Sequence, residues 1–175
     1  MLGAVLFLLT VVGSATACQT WPNSTETATN WWMCSSGPMT FSAVTTVDCK
    51  GVFEYPIHLN KPLLIRTTAN NAKNVYSSPG LKQTIKVWSW STIKCAWTSL
   101  PTFGLLNDLD ACTNGVNCPI KLGPQTLDFE LDFSDAQQII NLLKNDSPYQ
   151  LEYLLHDDVT GDDACLMFQA RSLLQ

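Results

Sequence analysis

The chain has 175 residues, of which 46% are hydrophobic and 14% are charged, and its formal net charge is −5. This length is typical of one ordinary domain. The acidic balance argues against a nucleic-acid ligand and against tight adsorption to anionic membranes.

The first 17 residues have the pattern of a secretory signal peptide, in which an apolar run at 2–12 precedes the small-residue site Ala15-Thr16-Ala17. No later stretch approaches the roughly 20 apolar residues that cross a bilayer. We therefore predict a secreted chain, extracellular or in the endolysosomal lumen. Residues 18–30, rich in Ser, Thr and Asn, are expected to extend loosely ahead of a domain at 31–175.

The chain has 7 cysteines, which suit an oxidising compartment. No paired Cys-x2-Cys knuckles occur, so disulfides are favoured over a metal site. Three bridges leave one cysteine over, and we predict that it is Cys18, at the new N-terminus. Sequons that begin at Asn23 and Asn145 are predicted glycosylation sites in a secreted chain.

Stretches rich in β-formers and separated by turn residues predict strands along most of the chain. Residues 134–145 differ, because Ala136, Ile139, Ile140 and Leu143 lie at helical spacing and predict a short helix capped by Ser134. The fold begins at 31–34, and the expected strands are residues 39–49, 52–59, 62–68, 81–93, 127–133, 149–156 and 164–173. This spacing predicts an all-β sandwich of two antiparallel sheets.

One turn is marked more strongly than the others. Asn114 and Gly115 both tolerate positive φ, and Cys112 and Cys118 lie on either side of them, close enough to form a bridge. Such a bridge would contribute about 2 kcal/mol. In the strand that follows, four apolar side chains share one face: Leu127, Phe129, Leu131 and Phe133.

Residues suited to catalysis are few. His58 and His156 have no metal-ligand spacing, and no nucleophile elbow, zinc-protease helix or phosphate loop occurs. The acidic cluster at 157–163 offers oxygen ligands for calcium, but a solvated hairpin turn is the favoured interpretation. We therefore expect no enzyme activity, no metal and no cofactor.

The apolar strand faces could form either a packed core or a lipid pocket, and the residues alone leave both open. One layer of side chains, about 10 Å thick, fills the space between two packed sheets. A sterol-sized ligand that buries about 350 Å² of apolar surface would gain roughly 9 kcal/mol before binding costs. The candidate lining residues are Val87, Trp88, Trp90, Leu127, Phe129, Leu131, Phe133, Leu151, Tyr153, Leu155 and Phe168.

The chain resembles the ML lipid-recognition family from about residue 31 to residue 173. The most specific part is Cys112-x5-Cys118-Pro119-Ile120, which is similar to the sterol-carrier branch. Other parts are similar to the endotoxin co-receptor branch or to both branches, namely Trp32-Met33-Cys34, Cys49, Tyr55-Pro56-Ile57, Tyr149-Gln150-Leu151-Glu152-Tyr153 and Cys165-Leu166-Met167-Phe168. The helical stretch at 134–145 departs from the family pattern, as does Leu63, near which the co-receptor branch has a cysteine.

The resemblance implies a disulfide-stabilised immunoglobulin-like sandwich with an internal apolar cavity that holds a sterol, phospholipid or glycolipid. It also implies a monomer that passes its lipid to a membrane or receptor. The implied pairing is Cys112 with Cys118 and Cys165 with Cys49 or Cys34, and Cys95 takes the remaining one. The alternative is a secreted interaction module without a lipid. Asp163 stands where a true immunoglobulin domain has its tyrosine, which disfavours that alternative.

Overall fold

The computed structural model of the protein describes residues 18–133 and 136–175, so the predicted signal peptide lies outside the described residues. The described chain forms ten strands, one short α-helix and two single-turn 3₁₀ helices, at Pro22–Ser24 and Ala111–Thr113. The elements are β1 (Asn30–Met33), β2 (Met39–Val47), β3 (Ile57–His58), β4 (Leu63–Asn71), β5 (Leu81–Ser91), β6 (Ala96–Leu100), β7 (Leu109–Asp110), β8 (Gly123–Leu131), α1 (Gln137–Ile140), β9 (Ser147–Asp157) and β10 (Asp162–Leu173).

The strands form two sheets. The first has the order β1-β10-β9-β5-β6, with β3 also paired to β10 and β7 to β5, and the second has the order β2-β4-β8. Every pair is antiparallel except the short β3–β10 pair, which is parallel. The predicted all-β sandwich is confirmed.

Alternate side chains of the paired strands fill the space between the sheets. Phe129 on β8 meets Phe41 on β2 edge to face, with 5.9 Å between ring centroids. Phe129 also contacts Tyr153 on β9 of the opposite sheet at 4.6 Å. These aromatic contacts join the two sheets at the centre of the core, where each ring is at most 6% exposed.

Strand prediction succeeded where alternation was clean and failed elsewhere. The strands expected at 39–49, 62–68, 81–93, 127–133, 149–156 and 164–173 are all present with shifted ends. The strand expected at 52–59 is wrong, because only β3 forms there and Val52 and Phe53 are exposed. The sequence interpretation missed β6 and β7. In β6, burial alternates weakly, since this strand lies at the edge of its sheet.

The expectation that residues 18–30 extend loosely is wrong. Together with β1 they form what we call the N-terminal strap (residues 18–33), whose first part packs on the outer face of the first sheet before the chain joins that sheet as β1. Thr25 is fully buried and its hydroxyl donates to the Pro22 carbonyl oxygen at 2.8 Å. The Tyr55 hydroxyl donates to the Thr25 carbonyl oxygen. The strap is thus part of the folded domain.

Polar side chains hold the strap to β10. Asn23 and Asn30 each donate an amide hydrogen bond to the Gln169 side chain, at 2.8 Å and 3.0 Å. Gln169 in turn donates to the Gln150 side chain on β9 at 2.7 Å. Since Gln169 is 1% exposed, its hydrogen-bonding capacity is met inside the protein.

The disulfides are Cys112–Cys118, Cys34–Cys165 and Cys18–Cys95. The first confirms the implied pairing, and the second settles which early cysteine bonds Cys165. The prediction that Cys18 is the unpaired cysteine is wrong, as is the pairing of Cys49, which is unbonded and exposed. Cys18 reaches Cys95 because the strap folds back across the first sheet.

None of the described helices is long and apolar enough to span a membrane.

Candidate functional site

A cleft opens between the two sheets where β5 of the first faces β8 of the second. Its volume is about 400 Å³, and we call it the intersheet cleft. Its lining is Gln83, Ile85, Leu105, Leu106, Leu109, Thr113, Asn114, Gly115, Glu130, Leu131, Asp132, Phe133 and Ala136. Apolar groups line its depth, and carboxylates lie on the β8 side.

The disulfide-closed turn forms one wall of this cleft. Asp110 caps the 3₁₀ helix by accepting a hydrogen bond from the Cys112 amide at 3.0 Å. Gly115 has a φ of 112°, and its carbonyl oxygen accepts the Glu130 amide hydrogen bond at 2.8 Å. A Cβ at Gly115 would lie 2.1 Å from the Glu130 carbonyl oxygen, so only glycine permits this approach.

Gln83 joins that wall to the core. Its amide nitrogen donates to the Asn114 carbonyl oxygen at 2.9 Å, and its amide oxygen accepts from the Tyr153 hydroxyl. Burial raises the pKa of the Tyr153 phenol well above its ordinary value, so the hydroxyl remains protonated and donates. Because both the nitrogen and the oxygen of the Gln83 side-chain amide form hydrogen bonds, this part of the cleft is preorganised.

A second pocket, here called the inner pocket, adjoins the cleft and is lined almost wholly by apolar side chains. Its volume is about 20 Å³, room for about one water molecule. It is lined by Ile57, Leu59, Leu63, Val87, Phe133, Ile139, Leu143, Tyr149, Leu151, Phe168, Ala170 and Ser172. Phe133 lines both cavities, so the cleft and the inner pocket meet at this residue.

The short helix and its flanks cover the inner pocket, and we call residues 136–144 the α1 segment. The predicted helix is present but reduced to one turn, and its predicted cap, Ser134, lies outside the described residues. Ile139 is fully buried against the core. The Tyr149 hydroxyl accepts from the Lys144 amide at 2.6 Å and donates to the Lys144 carbonyl oxygen at 2.9 Å. The α1 segment is therefore held by the buried Ile139 side chain and by the Tyr149 hydroxyl.

Five of the eleven predicted lining residues line one of the two cavities. The inner pocket is lined by Val87, Phe133, Leu151 and Phe168. The cleft is lined by Leu131 and, again, Phe133. Four others are buried in the aromatic core: Leu127, Phe129, Tyr153 and Leu155.

Trp88 and Trp90 contradict the prediction that they form a pocket wall. They alternate along β5 with the buried Ile85 and Val87, so they lie on the outer face of the first sheet. Trp90 packs edge to face on Trp97 at 5.3 Å between ring centroids. Its indole nitrogen donates to the Gln19 carbonyl oxygen at 2.7 Å. The indole therefore helps to fasten the strap.

Sequence interpretation missed several residues of the cleft. Leu105, Leu106 and Leu109 lie between the strands predicted at 81–93 and 127–133, where no strand was expected. The Leu106 carbonyl oxygen nevertheless accepts the Ile85 amide hydrogen bond at 2.8 Å and fixes this loop on β5. Their spacing has no strand or helix period, but three leucines in so short a loop were an available signal of burial. Ser172 was also missed, although alternation from Phe168 and Ala170 points it inward.

The two predicted glycosylation sites differ in their surroundings. Asn145 is exposed, and its side-chain oxygen accepts from the Leu174 amide at 2.9 Å. Asn23 is exposed too, but its amide nitrogen, the atom that a glycan would modify, donates to Gln169.

The acidic turn at 157–163 is a hairpin turn held by its own side chains. Asp157 accepts from the Thr160 amide and hydroxyl at 2.9 Å and 2.8 Å. Asp163 lies 2.7 Å from His156 and raises the pKa of that imidazole by hydrogen bonding. Within residues 18–133 and 136–175, no group of three or more His, Cys, Asp and Glu side chains could hold a metal ion.

A scan against protein-family models finds no match, and a search of curated proteins finds no similar one. Among solved structures, the chain is similar to a Niemann-Pick type C2 protein from the Japanese carpenter ant. The two are 14% identical, the match covers 82% of this chain and 98% of that chain, and the TM-score is 0.46. A likeness at this level does not place the chain in a family.

Proposed function

We propose that this protein binds one lipid between its two sheets and carries it to an acceptor membrane or receptor. The observation that carries the proposal is the adjacency of two cavities between the sheets. The intersheet cleft opens to solvent, the apolar inner pocket adjoins it, and Phe133 is the residue that their linings share. The ML-family resemblance of the sequence supports the same function. A sterol, phospholipid or glycolipid is the expected cargo.

Binding requires the interior to widen, because about 20 Å³ is far smaller than a lipid. The widening would occur at Phe133 and the α1 segment. This segment has a helix of only four residues and is not paired with either sheet. A ligand burying about 350 Å² of apolar surface gains roughly 9 kcal/mol, which offsets the cost of moving a few apolar contacts.

The proposed location is extracellular or endolysosomal, and the proposed state is a monomer. Three disulfides support an oxidising compartment. The sequence supplies the remaining support, in the signal-peptide pattern of its first 17 residues.

The test is native mass spectrometry of the secreted protein, followed by organic extraction. We expect one copurified lipid per chain. A matched pair of variants then locates the site. Leu109→Trp adds bulk inside the half-buried cleft wall, whereas Ile93→Trp adds the same kind of ring at a position that is 93% exposed. We expect Leu109→Trp to lose lipid and Ile93→Trp to keep it.

The close packing of the core favours a second candidate, a β-sandwich interaction module without a lipid. In that case the purified protein is empty and takes up no added sterol or phospholipid. That result would overturn the lipid-binding proposal.

A further inference from the structure

One hydroxyl in the inner pocket has no hydrogen-bond partner. Ser172 lies on β10 beside Ile57 of β3 and Ser147 of β9, and it is fully buried. It follows Phe168 and Ala170 on the inward face of the strand, and all three line the inner pocket. Its Oγ is among the few buried side-chain polar atoms of the described chain without a partner.

The second unpartnered buried hydroxyl of the described chain, that of Ser35, lies in the loop after β1, whereas the other buried hydroxyls on the strands of the sandwich are bonded. The Thr67 hydroxyl donates to the Leu127 carbonyl oxygen at 2.9 Å, and the Thr46 hydroxyl donates to the Glu54 carbonyl oxygen at 2.5 Å. Buried hydroxyls are normally satisfied because leaving one unpaired is costly. Alanine at position 172 would fill nearly the same space without that cost. The serine is therefore better explained by a ligand than by folding.

We propose that the lipid enters polar end first, passes Phe133, and forms a hydrogen bond between an uncharged hydroxyl or carbonyl and the Ser172 Oγ. This inference rests on the proposed function and adds the orientation and the chemical class of the cargo. The hydrocarbon then occupies the inner pocket and the intersheet cleft behind the polar group.

The inner pocket also restricts the charge of the polar group. No Asp, Glu, Lys, Arg or His side chain lines it, so an ionised group would be buried there without a counter-charge. On the β8 side of the cleft, Glu130 and Asp132 disfavour an anionic group at the other end. The class that fits is a neutral lipid alcohol or ketone, whether acyl-chain or sterol.

The experiment compares 1-hexadecanol with hexadecane, a pair that differs in one hydroxyl, by displacement of an environment-sensitive apolar dye. For the unmodified protein we expect hexadecanol to bind about three- to tenfold more tightly, the usual range for one neutral hydrogen bond. A second comparison, of cholesterol with cholestane, tests the same hydroxyl effect on a sterol. It shows whether the protein binds acyl-chain alcohols or sterols.

The variant Ser172→Ala should remove that preference by weakening hexadecanol binding about three- to tenfold, with hexadecane unchanged. Its unfolding midpoint should not fall, because the hydroxyl has no partner in the fold. Ser99→Ala, at an exposed serine on β6, is the matched control and should change neither measurement.

Equal binding of alcohol and alkane to the unmodified protein would overturn this inference while leaving lipid binding intact. Equal weakening of both ligands by Ser172→Ala would overturn it as well. If none of the four compounds binds, the inference fails, and if the purified protein also carries no lipid and takes up no phospholipid, the proposed function fails with it.

Discussion

The two sides of the sandwich are held in different ways. The N-terminal strap is fixed across the first sheet by two long-range disulfides, a glutamine–asparagine network and a ring contact in which Arg171 lies 4.9 Å from the centroid of Trp21. On the β5–β8 side there is one local disulfide, and the α1 segment is held by Ile139 and the Tyr149 hydroxyl.

This difference indicates where the interior can open. Long-range disulfides fasten the strap and β1 to the rest of the first sheet, while the side with the cleft depends on contacts close in sequence. Local opening is drawn from regions with few buried contacts. We therefore expect the interior to widen at the α1 segment while the strap stays docked.

The largest expected effect comes from removing a disulfide on each side. The double variant Cys34→Ala/Cys165→Ala removes a disulfide between residues 131 positions apart in sequence. The double variant Cys112→Ala/Cys118→Ala removes one between residues 6 positions apart. The chain-entropy model gives losses of about 5 and about 2 kcal/mol in the free energy of unfolding. Urea denaturation measures both, and equal losses would contradict the asymmetry of the two sides.

The next effect concerns the cleft wall. Gly115→Ala forces a side chain against the Glu130 carbonyl oxygen at a positive φ, and should cost about 3 kcal/mol. Gly123→Ala is the control, since its φ is 88° but no atom lies within 4 Å of the added Cβ. There we expect about 1 kcal/mol. Thermal unfolding compares them, and equal costs would show that the close approach to β8 is unimportant.

A smaller effect is expected from removing the hydroxyl of Tyr149 or of Tyr55, each of which makes two hydrogen bonds. The Tyr149 hydroxyl holds Lys144, and the Tyr55 hydroxyl joins Thr25 to the Arg171 amide. Replacing either by Phe should cost about 1 kcal/mol. Hydrogen–deuterium exchange should then rise at 136–146 in Tyr149→Phe and at 18–30 in Tyr55→Phe. Lipid release should be faster only in Tyr149→Phe, and identical release rates would argue against opening at the α1 segment.

The smallest effect is an acid dependence of the strap side. Arg171 donates to both carboxylate oxygens of Asp146, at 2.5 Å and 3.0 Å, and lowers the pKa of that carboxyl. A lowered pKa means that the pair stabilises the fold above the ordinary Asp pKa and loses this contribution as the pH falls through the folded value. Asp146→Asn should therefore show a smaller drop in unfolding midpoint between pH 7 and pH 3, and an unchanged drop would refute this assignment.

The sequence predicted the elements whose pattern is local. Strands β8 and β9 have clean two-residue alternation, and both are present with one face buried. The Cys112–Cys118 bridge was also foreseen, since two cysteines so close in sequence around an Asn-Gly turn leave little freedom. In such places local spacing alone determines which side chains meet.

Long-range contacts were harder to predict. Nothing near Cys18 indicates that it reaches Cys95, because that contact depends on the whole strap folding across a sheet. Trp88 and Trp90 were assigned to the pocket for their apolar character, although their alternation with Val87 placed them on the other face. The cleft joins side chains from β5, β8 and a loop, and its shape depends on how two sheets pack, which no single stretch of sequence encodes.

The burial of Thr25 sets an order of events for the Asn23 sequon. The threonine hydroxyl and the asparagine amide nitrogen are both bonded within the folded strap. An oligosaccharide transferase needs this tripeptide extended and accessible, so it would have to act on the nascent chain before the strap docks. If the chain is secreted as proposed, the fraction of molecules with a glycan at Asn23 would report how soon the strap docks relative to glycosylation.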